Sequence, residues 1–137
     1  MNQTIECLKL LLTPGKNRAR KVYEMLADNN GLGEKTQYLN LGFWSKGAAD
    51  YDSACEALAG ELGEAAKLAP GDRLLDVGFG FADQDLYWSS RFGCREIVGL
   101  NITPSQVEAA RKRVSAAGLA GRIDLRLGSA TAMPFGA

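Results

Sequence analysis

The fold of this chain is decided by residues 74–82, which read Leu74-Leu75-Asp76-Val77-Gly78-Phe79-Gly80-Phe81-Ala82. An apolar run that holds one carboxylate and ends in two closely spaced glycines is typical of a buried strand entering a tight turn. The glycines allow the backbone to turn sharply and to approach a bound molecule. Because open α/β sheets bind ligands at the carboxyl ends of their strands, the stretch predicts a ligand site at this turn.

Strand and helix patterns alternate around the turn. Thr103 is predicted to cap the helix that begins at Pro104, with Gln106 as its capping-box partner and Gly118 as its stop. The order of elements argues for a parallel sheet and therefore for an α/β fold. The predicted strands are residues 73–78, 96–101 and 123–127, and the predicted helices between them are residues 83–91 and 104–117.

Helices are also predicted in the front part of the chain. Residues 4–12 and 17–28 form two short ones. A longer helix is predicted to be capped by Asp52 or Ser53, with Glu56 completing a capping box, and to end before Pro70. We therefore divide the chain into a helical N-terminal cap or lid, residues 1–50, and an α/β domain, residues 51–137. The apolar stripes predicted to face the core are Cys55, Leu58, Leu62 and Ala65 in the long helix, and Val107, Ala110, Val114 and Ala117 in the helix after Pro104.

Composition and charge exclude several classes of protein. Lys and Arg total 16, as do Asp and Glu, so no basic excess is left to neutralise nucleic-acid phosphates, and Arg111-Lys112-Arg113 is predicted to be a solvated helix face. The longest apolar run near the start, Leu10-Leu11-Leu12, is far shorter than a membrane span. The chain has no histidine, which excludes Ser-His and Cys-His catalysis, and no metal site is predicted. Three cysteines without paired spacing indicate the reducing cytoplasm.

The sequence of the turn does not match the pattern of the dinucleotide-binding glycine loop. The dinucleotide fingerprint needs a third glycine at position 83, where this chain has Asp83, and Asp85 adds a second carboxylate at the helix start. Carboxylates there repel a pyrophosphate. The turn therefore favours a ligand without phosphate whose polar end is positively charged. A dinucleotide-dependent oxidoreductase is kept as a competing hypothesis, which requires NAD to bind despite the two carboxylates.

The turn resembles the first motif of the class I S-adenosylmethionine-dependent methyltransferases, an acidic residue followed by x-Gly-x-Gly-x-Gly, with Ala82 in place of the third glycine. The resemblance implies a Rossmann-like fold and S-adenosylmethionine as the cofactor. It also implies that Asp76 orients the turn and the methionine amino group. Gly78 and Gly80 would admit the methionine and ribose portions.

Two later segments resemble the next motifs of the same family. Residues 99–106 are similar to the second motif of sterol-type and related small-molecule members, in which Asn101 would hold the ribose hydroxyls. Residues 128–135 resemble the third motif. There, Ser129 would accept a hydrogen bond from the adenine amino group, and the backbone of Ala130 would meet the ring.

A segment of the predicted lid, Tyr38-Leu39-Asn40-Leu41-Gly42-Phe43-Trp44, resembles the segment that folds over the cofactor in methyltransferases acting on lipids, sterols and natural products. It implies Tyr38 and Trp44 as cofactor contacts and a small, lipophilic acceptor. The expected function is methyl transfer from S-adenosylmethionine to an oxygen, carbon or nitrogen of that acceptor. No catalytic residue is assigned.

Members of this family have seven strands in the order 3-2-1-4-5-7-6, and this chain supplies the first three. We therefore expect a truncated chain that forms the N-terminal, cofactor-binding half of a longer enzyme and lacks the C-terminal strands. The open edge of its first strand is expected to pair with a second copy or a partner chain. The alternative function is a non-catalytic, truncated Rossmann-like module that acts through such assembly.

Overall fold

The computed structural model describes residues 12–15, 17, 18, 21, 22, 25, 33–45 and 47–135. The predicted strands and the predicted helix at residues 83–91 are confirmed to within one residue. Most residues of the predicted helices at residues 4–12 and 17–28 lie outside the described residues. In chain order, the regular elements are α1 (Tyr51–Ala65), β1 (Arg73–Val77), α2 (Asp83–Arg91), β2 (Glu96–Asn101), α3 (Pro104–Ala116) and β3 (Ile123–Leu127).

The three strands form one parallel sheet in the order β1-β2-β3, which confirms the predicted α/β fold. The register places Leu74, Ile97 and Ile123 side by side on the face that packs against α2 and α3. Leu75 and Val77 point to the opposite face, where each keeps nearly half of its surface exposed. The helices α2 and α3 therefore cover one face of the sheet, and the other face carries exposed apolar residues.

The main hydrophobic core lies between the sheet and these two helices. Of the stripe predicted for α3, only Ala117, which follows the last helical residue, is exposed. The buried residues of this core are Phe79, Ala82, Cys94, Ile97, Val107, Ala110, Val114, Ile123 and Leu125.

The predicted cap of α1 is wrong, whereas that of α3 is confirmed in position, with Thr103 at the N-cap and Pro104 as the first helical residue. Asp50 caps α1 by accepting a hydrogen bond from the Ser53 amide at 2.8 Å, and the Ser53 hydroxyl completes the capping box. At α3, the Thr103 side chain makes no capping bond. The Gln106 side chain instead accepts a hydrogen bond from the Asn101 amide at 2.9 Å, so it is turned toward the end of β2.

Small residues form the buried face of α1. Leu62, which is predicted to be buried, is 49% exposed, and the neighbouring Gly63 is buried in its place. Phe92, from the end of α2, packs so closely over Gly63 that an added Cβ would lie 2.3 Å from its ring. The large side chains at this contact therefore come from α2 and the small ones from α1. The predicted stripe is confirmed at Cys55 and is wrong at Leu62 and Ala65. The buried residues of α1 are Asp52, Ala54, Cys55, Ala59, Gly60 and Gly63.

Residues 33–45, called the strap below, follow an irregular path with no helix. The Asp52 carboxylate anchors the strap: the backbone amides of residues 34, 35 and 36 each donate to it at 3.0 Å. A hydrogen bond from the Thr36 hydroxyl, together with these amides, lowers the pKa of Asp52. Asp52 is therefore the anchor of the strap and not the cap of α1.

Candidate functional site

Left-handed backbone conformations build the turn after β1. Gly78 and Gly80 have φ angles of +89° and +59°, and Ala82 has the same conformation at +65°. A Cβ added to Gly78 would meet no atom within 4 Å, which marks open space beside the backbone. Ala82 thus preserves the backbone that a third glycine would have, with a strain of about 1–3 kcal/mol.

The two aromatic residues of the turn leave this space open. Phe79 belongs to the main core and packs against Gly99, where an added Cβ would lie 2.6 Å from its ring. Phe81 is also buried. A cavity of about 540 Å³ lies at the carboxyl ends of the strands, within the usual size range of small-molecule sites.

Seven of the eight residues predicted to bind a cofactor line this cavity, and Trp44 does not. Trp44 is 52% exposed, and its indole N–H donates to the Leu41 carbonyl at 2.9 Å within the strap. Its position gives no support to the predicted cofactor contact, which stays a prediction. The seven lining residues are Tyr38, Asp76, Gly78, Gly80, Asn101, Ser129 and Ala130.

Asn101 braces the site from the end of β2, where it is buried. Its amide donates to Gln106 at 2.9 Å and to the Gly80 carbonyl at 3.4 Å. Its side-chain oxygen accepts a hydrogen bond from the Thr103 backbone amide at 3.2 Å. Because that oxygen has a second lone pair, the predicted bond to a ribose hydroxyl is compatible with these contacts.

A short turn brings the third motif to the cavity. The Ser129 and Thr131 hydroxyls lie 2.9 Å apart, and the Thr131 amide donates to Ser129 Oγ at 3.2 Å. The Gly128 backbone amide donates to the backbone carbonyl of Asn101 at 3.0 Å, which connects this turn to β2. The predicted contacts of Ser129 and Ala130 with an adenine ring stay predictions.

The strap motif holds itself against α1. The Asn40 side-chain oxygen accepts from the Gly42 amide at 2.8 Å, and Gly42 has a left-handed φ of +77°. The Phe43 amide donates to the Ala54 carbonyl at 2.7 Å. Tyr38 is buried at the cavity wall, and this burial raises its pKa, as does the nearby charge of Asp83.

An ion pair neutralises the first carboxylate of α2. The Arg113 guanidinium donates to both oxygens of Asp83 at 2.6 and 2.7 Å, and it also reaches the Phe81 carbonyl at 2.6 Å. Asp83 further accepts from the Gln37 amide of the strap at 3.2 Å. The prediction that Arg113 lies on a solvated face is therefore wrong. Because Asp83 is paired with Arg113, it is not the free negative charge that the predicted repulsion of a pyrophosphate requires.

Asp76 and Asp85 form a carboxyl pair beside the turn. Each carboxyl is near enough to shift the pKa of the other, and Asp85 is fully buried. Burial, followed by the charge of Asp76, raises the pKa of Asp85 well above its ordinary value. Burial also raises the pKa of Asp76, although hydrogen bonds from Asp85 and Gln84 act against this. The pair therefore holds protons more tightly than two separate surface carboxyls would.

Several residues that shape the site were not predicted from the sequence. Arg113 carried a usable signal, because it follows the buried Ala110 by three positions, which places both on one side of α3. The sequence signal at Asp52 was misleading, because a position near a helix start favours a capping role. Other residues of the cavity wall that were not predicted include Gln37, Leu39, Asn40, Gln84, Ile102 and Gln106.

The fold and the cavity define a class: a Rossmann-like α/β protein with a small-molecule site at the carboxyl ends of its parallel strands. Over the described ranges, no helix combines the length and the apolar character needed to cross a bilayer. The same residues contain no group of three or more His, Cys, Asp or Glu side chains placed to hold a metal ion.

Comparisons with known proteins narrow this class. Residues 74–137 match the methyltransferase domain family. Erythromycin 3''-O-methyltransferase of Saccharopolyspora erythraea is 41% identical over 121 residues, which cover 88% of this chain and 40% of that protein. The solved structure of the cyclase SpnF has a TM-score of 0.78 at 23% identity, over 90% of this chain and 46% of its own, which shows the shared fold.

A third relative is a geranyl diphosphate methyltransferase whose structure was solved in complex with S-adenosylmethionine. It has a TM-score of 0.59 at 26% identity, over 64% of this chain and 35% of its own. Residues 74–137 therefore carry a methyltransferase domain, and the chain is similar to S-adenosylmethionine-dependent methyltransferases. The chain spans less than half the length of each of the three relatives.

Proposed function

We propose that this chain binds S-adenosylmethionine in the cavity and supplies the cofactor-binding half of an enzyme that methylates a small, lipophilic acceptor. One observation carries the proposal. Residues from four separate segments, namely the strap, the glycine turn, the end of β2 and the third motif, converge on one cavity of about 540 Å³. These are the segments whose sequence resembles the cofactor motifs of the family.

The chemistry of the cavity fits this cofactor. Asp76 lines it, and the buried Oδ2 of Asp76 has no hydrogen bond from a well-aligned N–H or O–H group in the described part of the chain. An ammonium group would satisfy that oxygen. The open space beside Gly78 allows a ligand to approach the backbone closely.

The residues of the chain would act by positioning. Bound S-adenosylmethionine supplies an electrophilic methyl group, and its displacement from sulfur depends mainly on alignment and exclusion of water. Asp76 and Asn101 would fix the two ends of the cofactor, and Tyr38 and Leu39 would cover it from the strap. The acceptor class is supported by the relatives, whose names specify erythromycin and geranyl diphosphate.

Isothermal titration calorimetry with S-adenosylhomocysteine tests cofactor binding. We expect binding by the wild-type chain and a loss of about 10- to 100-fold for Asp76→Asn, because a charge-assisted hydrogen bond contributes about 1.5–3 kcal/mol. Asp124→Asn is the matched control, since Asp124 is exposed and pairs with Arg126. Absence of binding by the wild-type chain, or equally tight binding of NAD, would contradict the proposal.

The exposed edge of β1 supports the alternative function, a non-catalytic module that acts through assembly. In the described sheet β1 pairs only with β2, and Leu75 and Val77 lie nearly half exposed on it. We propose this edge as the place where a second copy or partner chain pairs. Cofactor binding without turnover of any lipophilic acceptor, together with assembly, would favour this alternative over the enzyme.

Two free, buried cysteines, Cys55 and Cys94, support a cytoplasmic location. We propose that location together with the enzyme function. Fractionation of cells that express the tagged chain tests it, and recovery in an oxidising compartment would contradict it.

A further inference from the structure

The two carboxyls of the Asp76–Asp85 pair have different surroundings. Asp76 is the fourth residue of β1, is partly exposed and lines the cavity. Asp85 is the third residue of α2, has no exposed surface and does not line the cavity. Neither Oδ2 of Asp76 nor either oxygen of Asp85 has a well-aligned N–H or O–H donor among the described residues.

A hydrogen bond between two carboxyl groups requires a proton on one of them, because ionised carboxylates only accept. Asp85 is the better holder of that proton. Its burial disfavours the charged form, whereas Asp76 faces the cavity, and the neighbouring Gln84 side chain and Val77 amide act to lower the pKa of Asp76. The positive end of the α2 dipole stabilises a negative charge on Asp85. This stabilisation is smaller than the free-energy cost of desolvating a fully buried carboxylate.

The other charged groups near the pair do not change this assignment. Asp83, on α2, adds a further negative field at Asp85, and it is held in its ion pair with Arg113 of α3. From the strap and α1, Tyr38 and Glu56 lie near each other, and Tyr38 is also near Asp83. The negative charges of Asp76 and Asp83 both disfavour a charge on Asp85.

We propose that Asp85 is a positioning residue, which stays protonated at neutral pH and donates an O–H hydrogen bond to Asp76, so that the Asp76 carboxylate is held toward the cavity as a single negative charge. This charge matches one ammonium group of a ligand. The part of the inference that concerns the ligand rests on the proposed function. The shared proton itself does not, because it belongs to the chain without ligand.

The shared proton is tested first, in the chain without ligand. The chain is labelled with carbon-13 at the aspartate carboxyls, and their chemical shifts are followed by NMR as the pH is raised. We expect one titration midpoint well above those of the other aspartates, and its disappearance in Asp85→Asn. Ordinary midpoints for every aspartate, or a high midpoint that persists in Asp85→Asn, would overturn the proposal.

The positioning role is tested by the pH dependence of S-adenosylhomocysteine binding. Asp85→Leu removes the donor, so we expect about tenfold weaker binding and a profile moved to higher pH, because Asp76 then holds its own proton more tightly. Asp85→Asn keeps a donor and should recover most of the loss. A profile for Asp85→Leu that coincides with wild type would overturn the role.

The two levels of failure are distinguishable. A wild-type chain that shows the high midpoint but does not bind S-adenosylhomocysteine contradicts the proposed function and leaves the shared proton established. A chain that binds this ligand but lacks the high midpoint contradicts the inference alone.

Discussion

Gly42 and Gly47 have nearly the same left-handed backbone, with φ angles of +77° and +74°, but different surroundings. A Cβ at Gly42 would lie 2.6 Å from that of Ala54, whereas a Cβ at Gly47 would meet nothing within 4 Å. Replacement by alanine costs about 1 kcal/mol at either site for the backbone, and only Gly42→Ala adds overpacking of about 1–3 kcal/mol. Urea denaturation should show the larger loss for Gly42→Ala. Equal losses would mean that the strap does not pack on α1 in this way.

Asp85 predicts how the stability of the chain depends on pH. Because its pKa is raised in the folded chain, the folded state holds a proton that the unfolded chain releases above about pH 4. The unfolding free energy therefore falls as the pH rises, by about 1.4 kcal/mol per pH unit, until Asp85 ionises.

The side chain in the variant Asp85→Asn cannot ionise, so the unfolding free energy of this variant should not decrease in this way as the pH rises. Its unfolding free energy relative to wild type should therefore increase between about pH 5 and about pH 8. Urea denaturation of both proteins at the two pH values measures the difference. A difference that stays constant with pH would contradict the raised pKa of Asp85.

Single residues were predictable where backbone geometry dictates their type. Gly78 and Gly80 were found because the turn needs left-handed conformations, and both have them. Side-chain contacts between residues far apart in the sequence were not predicted. Arg113 reaches Asp83 from 30 residues away, and nothing local in the sequence specifies that pairing.

At the scale of elements, α2, α3 and the strap meet at the Arg113–Asp83 ion pair. The Asp83 side chain is only 6% exposed, so Arg113→Ala leaves a buried charge without its partner, which costs about 3–5 kcal/mol. Lys112→Ala is the matched control on the same helix, because Lys112 pairs with Glu108 in solvent and contributes about 0.3–0.5 kcal/mol. Thermal or urea unfolding of the two variants measures this difference. Similar small losses would show that the buried pair does not join these elements.

The extent of each element was more predictable than its contacts. The strands and α2 follow local apolar patterns, so their bounds agree with prediction. The packing of α1 does not, because Phe92 arrives from α2 and selects Gly63 over Leu62 as the buried residue. The same competition turned Gln106 from its predicted capping role to Asn101. A cavity lies beside the turn at which the ligand site is predicted, because such cavities form at the carboxyl ends of parallel strands.

At the scale of the whole molecule, the edge of β1 predicts self-association. The double variant Leu75→Lys/Val77→Lys places charges on this apolar edge strand and should remain monomeric at concentrations where the wild-type chain forms dimers or larger species. Light scattering after size-exclusion chromatography over a concentration series measures this. Leu41→Lys, on the strap and 79% exposed, is the control that should still associate. A wild-type chain that stays monomeric throughout would contradict the prediction.

The described residues are held by two separate hydrophobic clusters of unequal size. The smaller one joins the strap to α1 through Tyr38, Cys55 and Ala59, and the larger one lies under the sheet. A layer secured by fewer buried contacts opens by local unfolding at a lower free energy than the rest of the molecule. The wall of the cavity that carries Tyr38 therefore belongs to the layer that opens first. A ligand can exchange with solvent through such subglobal openings while the parallel strands, and with them the glycine turn, remain folded.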